Sequence, residues 1–144
     1  MKGRTILALL LGVPAGIFFL LSVTFPVLGK TGDIFDPILS ATCHRLSERC
    51  IQMPWGTSGL CARCTAFWFG LTIGISFMYP KIIRIPFWTG ALFLIPLIID
   101  GAVQSVTAYE SINILRTLTG FTAGAGISIL IFGKTGNSVT LPRD

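Results

Sequence analysis

Charge is what this chain has least of. Charged residues make up 12% of it, against about 25% in an ordinary soluble domain. There are six acidic residues and a single histidine. A chain so poor in charge is not expected to be a water-soluble domain. Its 11 basic residues form no continuous run, so a nucleic-acid-binding face is not expected either. The sequence also lacks a phosphate-binding loop, a dinucleotide-binding glycine motif and a Ser-His-Asp arrangement. What it does hold is apolar: 52% of its residues are hydrophobic and the mean hydropathy is +0.78. Its 144 residues are enough for one unit, residues 1–144, in which the bilayer serves as solvent.

Four apolar runs are long enough to consider as spans, since crossing the hydrocarbon takes roughly 20 helical residues. They cover about 6–28, 60–79, 87–106 and 112–132. The expected fold is therefore all-α, an integral membrane four-helix bundle. Lys2 and Arg4 precede the first run, as in a secretory signal peptide. That run is longer than the usual apolar core of about 7–15 residues and has no small-residue cleavage pattern, so a retained helix is expected. Pro14 and Pro26 fall inside it and Pro96 inside the third run. Residues 29–59 form one polar Cys/His loop. Asp36 or Ser40 can start a short interfacial helix there, with Ile38, Leu39, Leu46 and Ile51 on its apolar side. Trp55 suits the headgroup region.

Basic residues in short loops set the orientation. With the amino terminus in the cytoplasm, that side holds Lys2, Arg4, Lys81, Arg84, Lys134 and Arg143, and the other holds Lys30, Arg45, Arg49, Arg63 and Arg116. The expected location is the cell membrane, with both termini and the 133–144 tail cytoplasmic and the cysteine loop outside. Membrane lipid is the expected partner. Three glycine pairs four residues apart (Gly12 and Gly16, Gly70 and Gly74, Gly120 and Gly124) read as packing within the chain first. A homodimer is the second use of such pairs.

Ionisable residues inside a span cost from about 2.5 kcal/mol upward at its centre, so each needs a role. Counting about 1.5 Å of rise per residue puts Arg63, Asp100 and Arg116 at one depth, near the outer surface. An Asp100–Arg116 ion pair is the plain structural reading. The functional reading is a pocket of Arg63, Asp100, Gln104, Asn113 and Arg116. Arg45 and Arg49 join it from the loop, and together they suit an anionic small molecule or lipid headgroup. The plain reading of the loop arginines is snorkelling to the interface.

All four cysteines and the histidine lie between Thr42 and Gly70, in the stretch TCHRLSERCIQMPWGTSGLCARCTAFWFG. Three readings compete. In the first, Cys61 and Cys64 are one half of a zinc site, completed from Cys43, His44 or Cys50. In the second, Cys61–Cys64 and Cys43–Cys50 are thiol pairs exchanging electrons with a quinone. Cys61 at a helix start beside Arg63 favours a thiolate there. That layout is similar to the disulfide-forming quinone reductases of bacterial membranes and to vitamin K epoxide reductases, in arrangement rather than in sequence. In the third, the cysteines form two structural disulfides in a non-enzymatic structural or assembly protein. His44 is equally readable as an ordinary surface histidine.

The order of Cys43-His44-Arg45, Glu48-Arg49, Leu60-Cys61-Ala62-Arg63-Cys64-Thr65 and Gly70 resembles a family of small membrane proteins, domain of unknown function number twenty eighty-five. So do Asp100-Gly101, Gln104, Ser111, Asn113, Arg116, Thr119 and Gly120. The resemblance covers roughly residues 40 to 125 and implies a multi-pass prokaryotic membrane protein. It implies no activity. In that family the positions of Cys43, His44, Cys61 and Cys64 are typical and that of Cys50 often is not cysteine. Three cysteines and a histidine fit a metal site better than a two-pair relay. This chain departs from the pattern with Cys50, and with Thr65-Ala66-Phe67 where Thr-Gly-aromatic is usual.

Overall fold

The structure is a computed structural model that describes residues 2–79, 85–107 and 109–133. The basic turn of Lys81 and Arg84, and the tail with Lys134 and Arg143, lie outside the described residues. Among the described residues five α-helices follow one another: α1 (Lys2–Leu28), α2 (Asp36–Thr42), α3 (Ala62–Met78), α4 (Thr89–Val106) and α5 (Asn113–Phe132). A 3-10 turn, Gly29–Ile34, joins α1 to α2. Among the described residues three helices, α1 from Gly3 onward, α4 and α5, are long and apolar enough to cross a membrane. Helix α3 is apolar but shorter, at 17 residues.

The all-α expectation needs one correction. Two strands, β1 (Cys50–Met53) and β2 (Gly56–Cys61), form an antiparallel hairpin in the loop. Pro54 and Trp55 make its tip, and Gly56 supplies the positive φ of 130° that the reversal needs. The register slips between Gln52, opposite Thr57, and Cys50, opposite Cys61. Ser58 fills the irregularity, accepting from the Ile51 amide at 2.9 Å and donating to the Leu60 carbonyl at 2.7 Å. The short helix of the loop also ends earlier than its apolar pattern suggests. Helix α2 stops at Thr42, so Leu46 and Ile51 lie beyond it; Leu39 is fully buried while Ile38 stays half exposed.

The main helix pairings run α1–α3–α5–α4, with α3 and α5 the central and closest pair. Glycine makes this possible. A side chain at Gly70 would strike the Phe121 backbone, one at Gly120 the Arg63 backbone, and one at Gly124 the Phe67 backbone. The α1–α3 contact is looser, with Gly12 and Gly16 facing the side chains of Ile75 and Thr72. At one end of the row, the Tyr79 hydroxyl donates to Thr5 and Arg4 donates to the Phe132 carbonyl at 2.6 Å. The hairpin and α2 cover the other end. There Leu39 and Leu60, both fully buried, pack among Phe18, Phe25, Phe35 and Trp68, beneath Cys43.

Candidate functional site

Three thiols meet at the covered end. The Sγ atoms of Cys43, Cys61 and Cys64 all lie within 4.8 Å of one another. Each arrives by a different local device. Cys43 is the residue at which α2 stops, in extended backbone with φ −155° and ψ 139°. Cys61 ends β2 and caps α3, and Cys64 lies in the first turn of α3. The buried Ser22–Thr65 hydroxyl hydrogen bond, 2.7 Å, ties that first turn to α1. The Cys61 amide donates to Cys43 Sγ at 3.4 Å. Hydrogen bonds from the Cys61 thiol and then the Cys64 thiol hold Cys43 far below the ordinary thiol value. Donating to Cys43 holds Cys61 above it.

A zinc ion bound by thiolates at about 2.3 Å holds its sulfurs about 3.8 Å apart. The triad is within about 1 Å of that spacing, so these residues fit a tetrahedral metal with three sulfur ligands. His44 is exposed and lines the same cavity as the three cysteines, but its ring nitrogens lie outside the close group that the three sulfurs form. Cys50 stands apart from the triad. It is buried on β1 opposite Cys61 in the hairpin register, and burial raises its thiol above the ordinary value. All four cysteines are unpaired.

Next to the triad is a cavity of about 360 Å³. The three triad cysteines, His44, Arg45, Arg49, Arg63, Gln104 and Arg116 are among its walls. Asp100 and Asn113 bind those wall residues. Two of the arginines are held at the loop. Arg45, at a φ of 50°, pairs with Asp36 and lies over the Phe25 ring at 4.5 Å. That double grip offsets the cost of a left-handed backbone at a non-glycine residue. Arg49 pairs with the exposed Glu110 at 2.5 Å. Asn113 donates to the carbonyls of Glu48 at 3.2 Å and Cys50 at 3.3 Å, which fastens the loop to α5.

The deeper polar residues correct one expectation. Asp100 pairs with Arg63, not with Arg116. Gly120 lets the backbone of α3 touch α5 at Arg63, and from there the Arg63 guanidinium reaches the Asp100 carboxylate on α4. Arg116 instead donates from Nε to Ser111 Oγ at 3.1 Å and from Nη1 to Asn113 Oδ1 at 3.5 Å. Gln104 donates to Asp100 at 2.9 Å and to Ser111 at 2.7 Å. Sequence spacing does not single out Ser111. It is 3% exposed, and its hydroxyl is where Arg63, Gln104 and Arg116 converge. The signal that names it is the family resemblance, in which Ser111 stands with Asn113 and Arg116 at the mouth of a span. A second groove, of about 390 Å³ and almost wholly apolar, runs along α4 and α5 and has Asp100 in its wall.

The comparisons agree with the membrane reading and name no chemistry. The chain matches the family described as "Predicted membrane protein (DUF2085)" over residues 43–130. An uncharacterized protein of Methanocaldococcus jannaschii, MJ1492, is 32% identical over 124 residues, covering 75% of this chain and 79% of that one. An uncharacterized protein of Methanothermobacter thermautotrophicus is 33% identical over 93 residues, covering 61% of this chain and 82% of that one. No solved structure matches. This chain belongs to the DUF2085 family of membrane proteins.

Proposed function

We infer that this chain is a membrane metalloprotein. In this reading Cys43, Cys61 and Cys64 hold a zinc-type ion and His44 is the fourth protein ligand. The ion caps a pocket of Arg63, Asp100, Gln104, Asn113 and Arg116, with Arg45 and Arg49 at its mouth. The pocket recognises or acts on an anionic small molecule or lipid. One observation carries the reading: three sulfurs from two distant segments converge on a cavity wall shared with four arginines. When bound, the ion would hold the three thiolates and His44 together in a closed four-ligand shell and fix that wall of the pocket. The chain's own residues bind and orient: the arginines draw an anion in, and Ser111 and Asn113 fix the angle of Arg116. The apolar groove beside Asp100 supports a ligand with a lipid portion.

We place the protein in the cell membrane with both termini cytoplasmic and the thiol site outside. The tightly flanking basic residues support that orientation. Elemental analysis of protein purified in detergent tests the metal reading. About one zinc-type ion per chain is expected in the wild type, with loss in Cys61→Ser/Cys64→Ser. Less than about a tenth of an ion per chain in both proteins refutes it.

The hydrogen-bonded thiols also favour a second reading, a thiol oxidoreductase using Cys43, Cys50, Cys61 and Cys64. There a dithiol would become a disulfide as a quinone takes two electrons and two protons. Alkylation trapping in intact cells separates the two readings. Cysteines that are permanently reduced, or permanently paired, remove the second.

A further inference from the structure

We propose that the cavity beside the thiol triad binds a phosphate-type oxyanion, with Arg116 as its principal contact and Arg63 as the second. This rests on the reading of the cavity as an anion pocket but does not require the metal.

Arg116 is 5% exposed and lines the cavity, yet its neighbours Ser111 and Asn113 are both neutral. Its Nη2 is buried and has no hydrogen-bond partner; Nε of Arg63, which lines the same cavity, and Oδ1 of its partner Asp100 are also unpartnered. Asp100 is paired with Arg63, so Arg116 has no carboxylate partner among the described residues. Ser111 Oγ is approached by three donors, from Arg63, Gln104 and Arg116, although a hydroxyl oxygen offers two lone pairs. Arg116 thus brings to the cavity wall a cation and a donor that its own neighbours do not balance. An isolated buried cation is costly, and a charged acceptor satisfies both.

Geometry selects the class of anion. Arg63 and Arg116 stand on different helices, α3 and α5, and both line the cavity. A carboxylate is planar, and one arginine fork satisfies it. A phosphate presents oxygens in several directions, which suits donors that do not share a plane. Free phosphate and a phosphate lipid headgroup offer the same chemistry.

The test uses the full chain in a non-ionic detergent, with calorimetric binding of inorganic phosphate and of dihexanoyl phosphatidic acid. Dihexanoyl phosphatidylcholine is the zwitterionic control. Saturable binding of at least one of the first two probes is expected. A tenfold or greater preference for phosphatidic acid, about 1.4 kcal/mol, assigns the site to a lipid headgroup, and comparable affinity assigns it to free phosphate. Arg116→Gln should weaken binding by about tenfold or more, since a charged hydrogen bond is lost. Arg116→Lys, which keeps the charge without the fork, should weaken it less. It serves as the test where Arg116→Gln is not recovered folded. Arg4→Gln, at the opposite end of the row, should leave binding unchanged.

The proposal is overturned if neither probe saturates the wild-type protein, or if both Arg116 variants keep wild-type affinity. Zinc content measured on the same samples keeps the two readings apart. Metal without phosphate binding sinks this proposal alone, and phosphate binding without metal sinks the metal site alone.

Discussion

Replacing Asp100 with asparagine tests the polar layer directly. Asp100 is 6% exposed, and its carboxylate receives Arg63 and Gln104. Asparagine keeps the shape and an acceptor but removes the charge. The buried group then goes from two cations and one anion to two cations and none. Removing one partner of a buried ion pair costs about 3–5 kcal/mol, because the remaining charge is left uncompensated. The Arg63 side chain retains 27% of its exposure, which lets water offset part of that. About 3 kcal/mol is therefore expected for Asp100→Asn. Arg63→Gln/Asp100→Asn should cost less than the two single changes added together, by about 1–3 kcal/mol, since neither charge is then stranded. Reversible unfolding in mixed detergent, followed by tryptophan fluorescence in phosphate-free buffer, reads all four proteins. Trp68, packed against Phe18 near the site, is the natural reporter. A change below about 0.5 kcal/mol for Asp100→Asn, or strict additivity in the cycle, would refute the buried pair.

Two glycines on neighbouring helices should respond with opposite signs. Gly120→Ala drives a methyl group into the Arg63 backbone and should destabilise by about 1–3 kcal/mol in the same unfolding assay, whereas Gly101, with open space around it, should gain about 0.5–1 kcal/mol as alanine. Equal effects at the two sites would contradict the close α3–α5 approach. Arg49→Ala breaks only an exposed pair with Glu110 and should change stability by less than about 1 kcal/mol in a urea or detergent titration.

Much of this arrangement is legible in the chain because the bilayer simplifies the reading. Apolar runs report helices, and 1.5 Å of rise per residue converts sequence position into depth. Depth alone brings Arg63, Asp100 and Arg116 to one level. It does not report the order of helices around that level, and the ion-pair partner depends on that order. Asp100 meets Arg63 because α5's Gly120 lets α3 come close enough for its first turn to reach α4. A glycine-rich sequence holds many four-residue repeats, and spacing cannot say which of them touches a backbone. The hairpin is hidden for another reason. Its strands are four and six residues long and carry Gly56, Gly59 and Ser58 in place of a clean alternation. What holds it is packing that sequence does not display: Gly56 against Pro26, and Gly59 against Phe25 and Leu39.

The same packing explains why a loop can carry the chemistry. Cys43 leaves α2 in extended backbone, and Arg45 turns left-handed two residues later, so neither position belongs to a regular helix. A helix would have sent Cys43 and His44 in diverging directions. The irregular segment instead lets both line the cavity reached by Cys61 and Cys64. Such a segment holds its shape only if its surroundings over-determine it. Here Leu39 and Leu60 fill the space below, Asp36 and Phe25 grip Arg45, and Asn113 clamps the carbonyls of Glu48 and Cys50. The thiol triad and the arginines are thus positioned by one set of contacts. A change that loosens that clamp should disturb sulfur geometry and anion contacts together, whereas a change at Arg116 should spare the sulfurs.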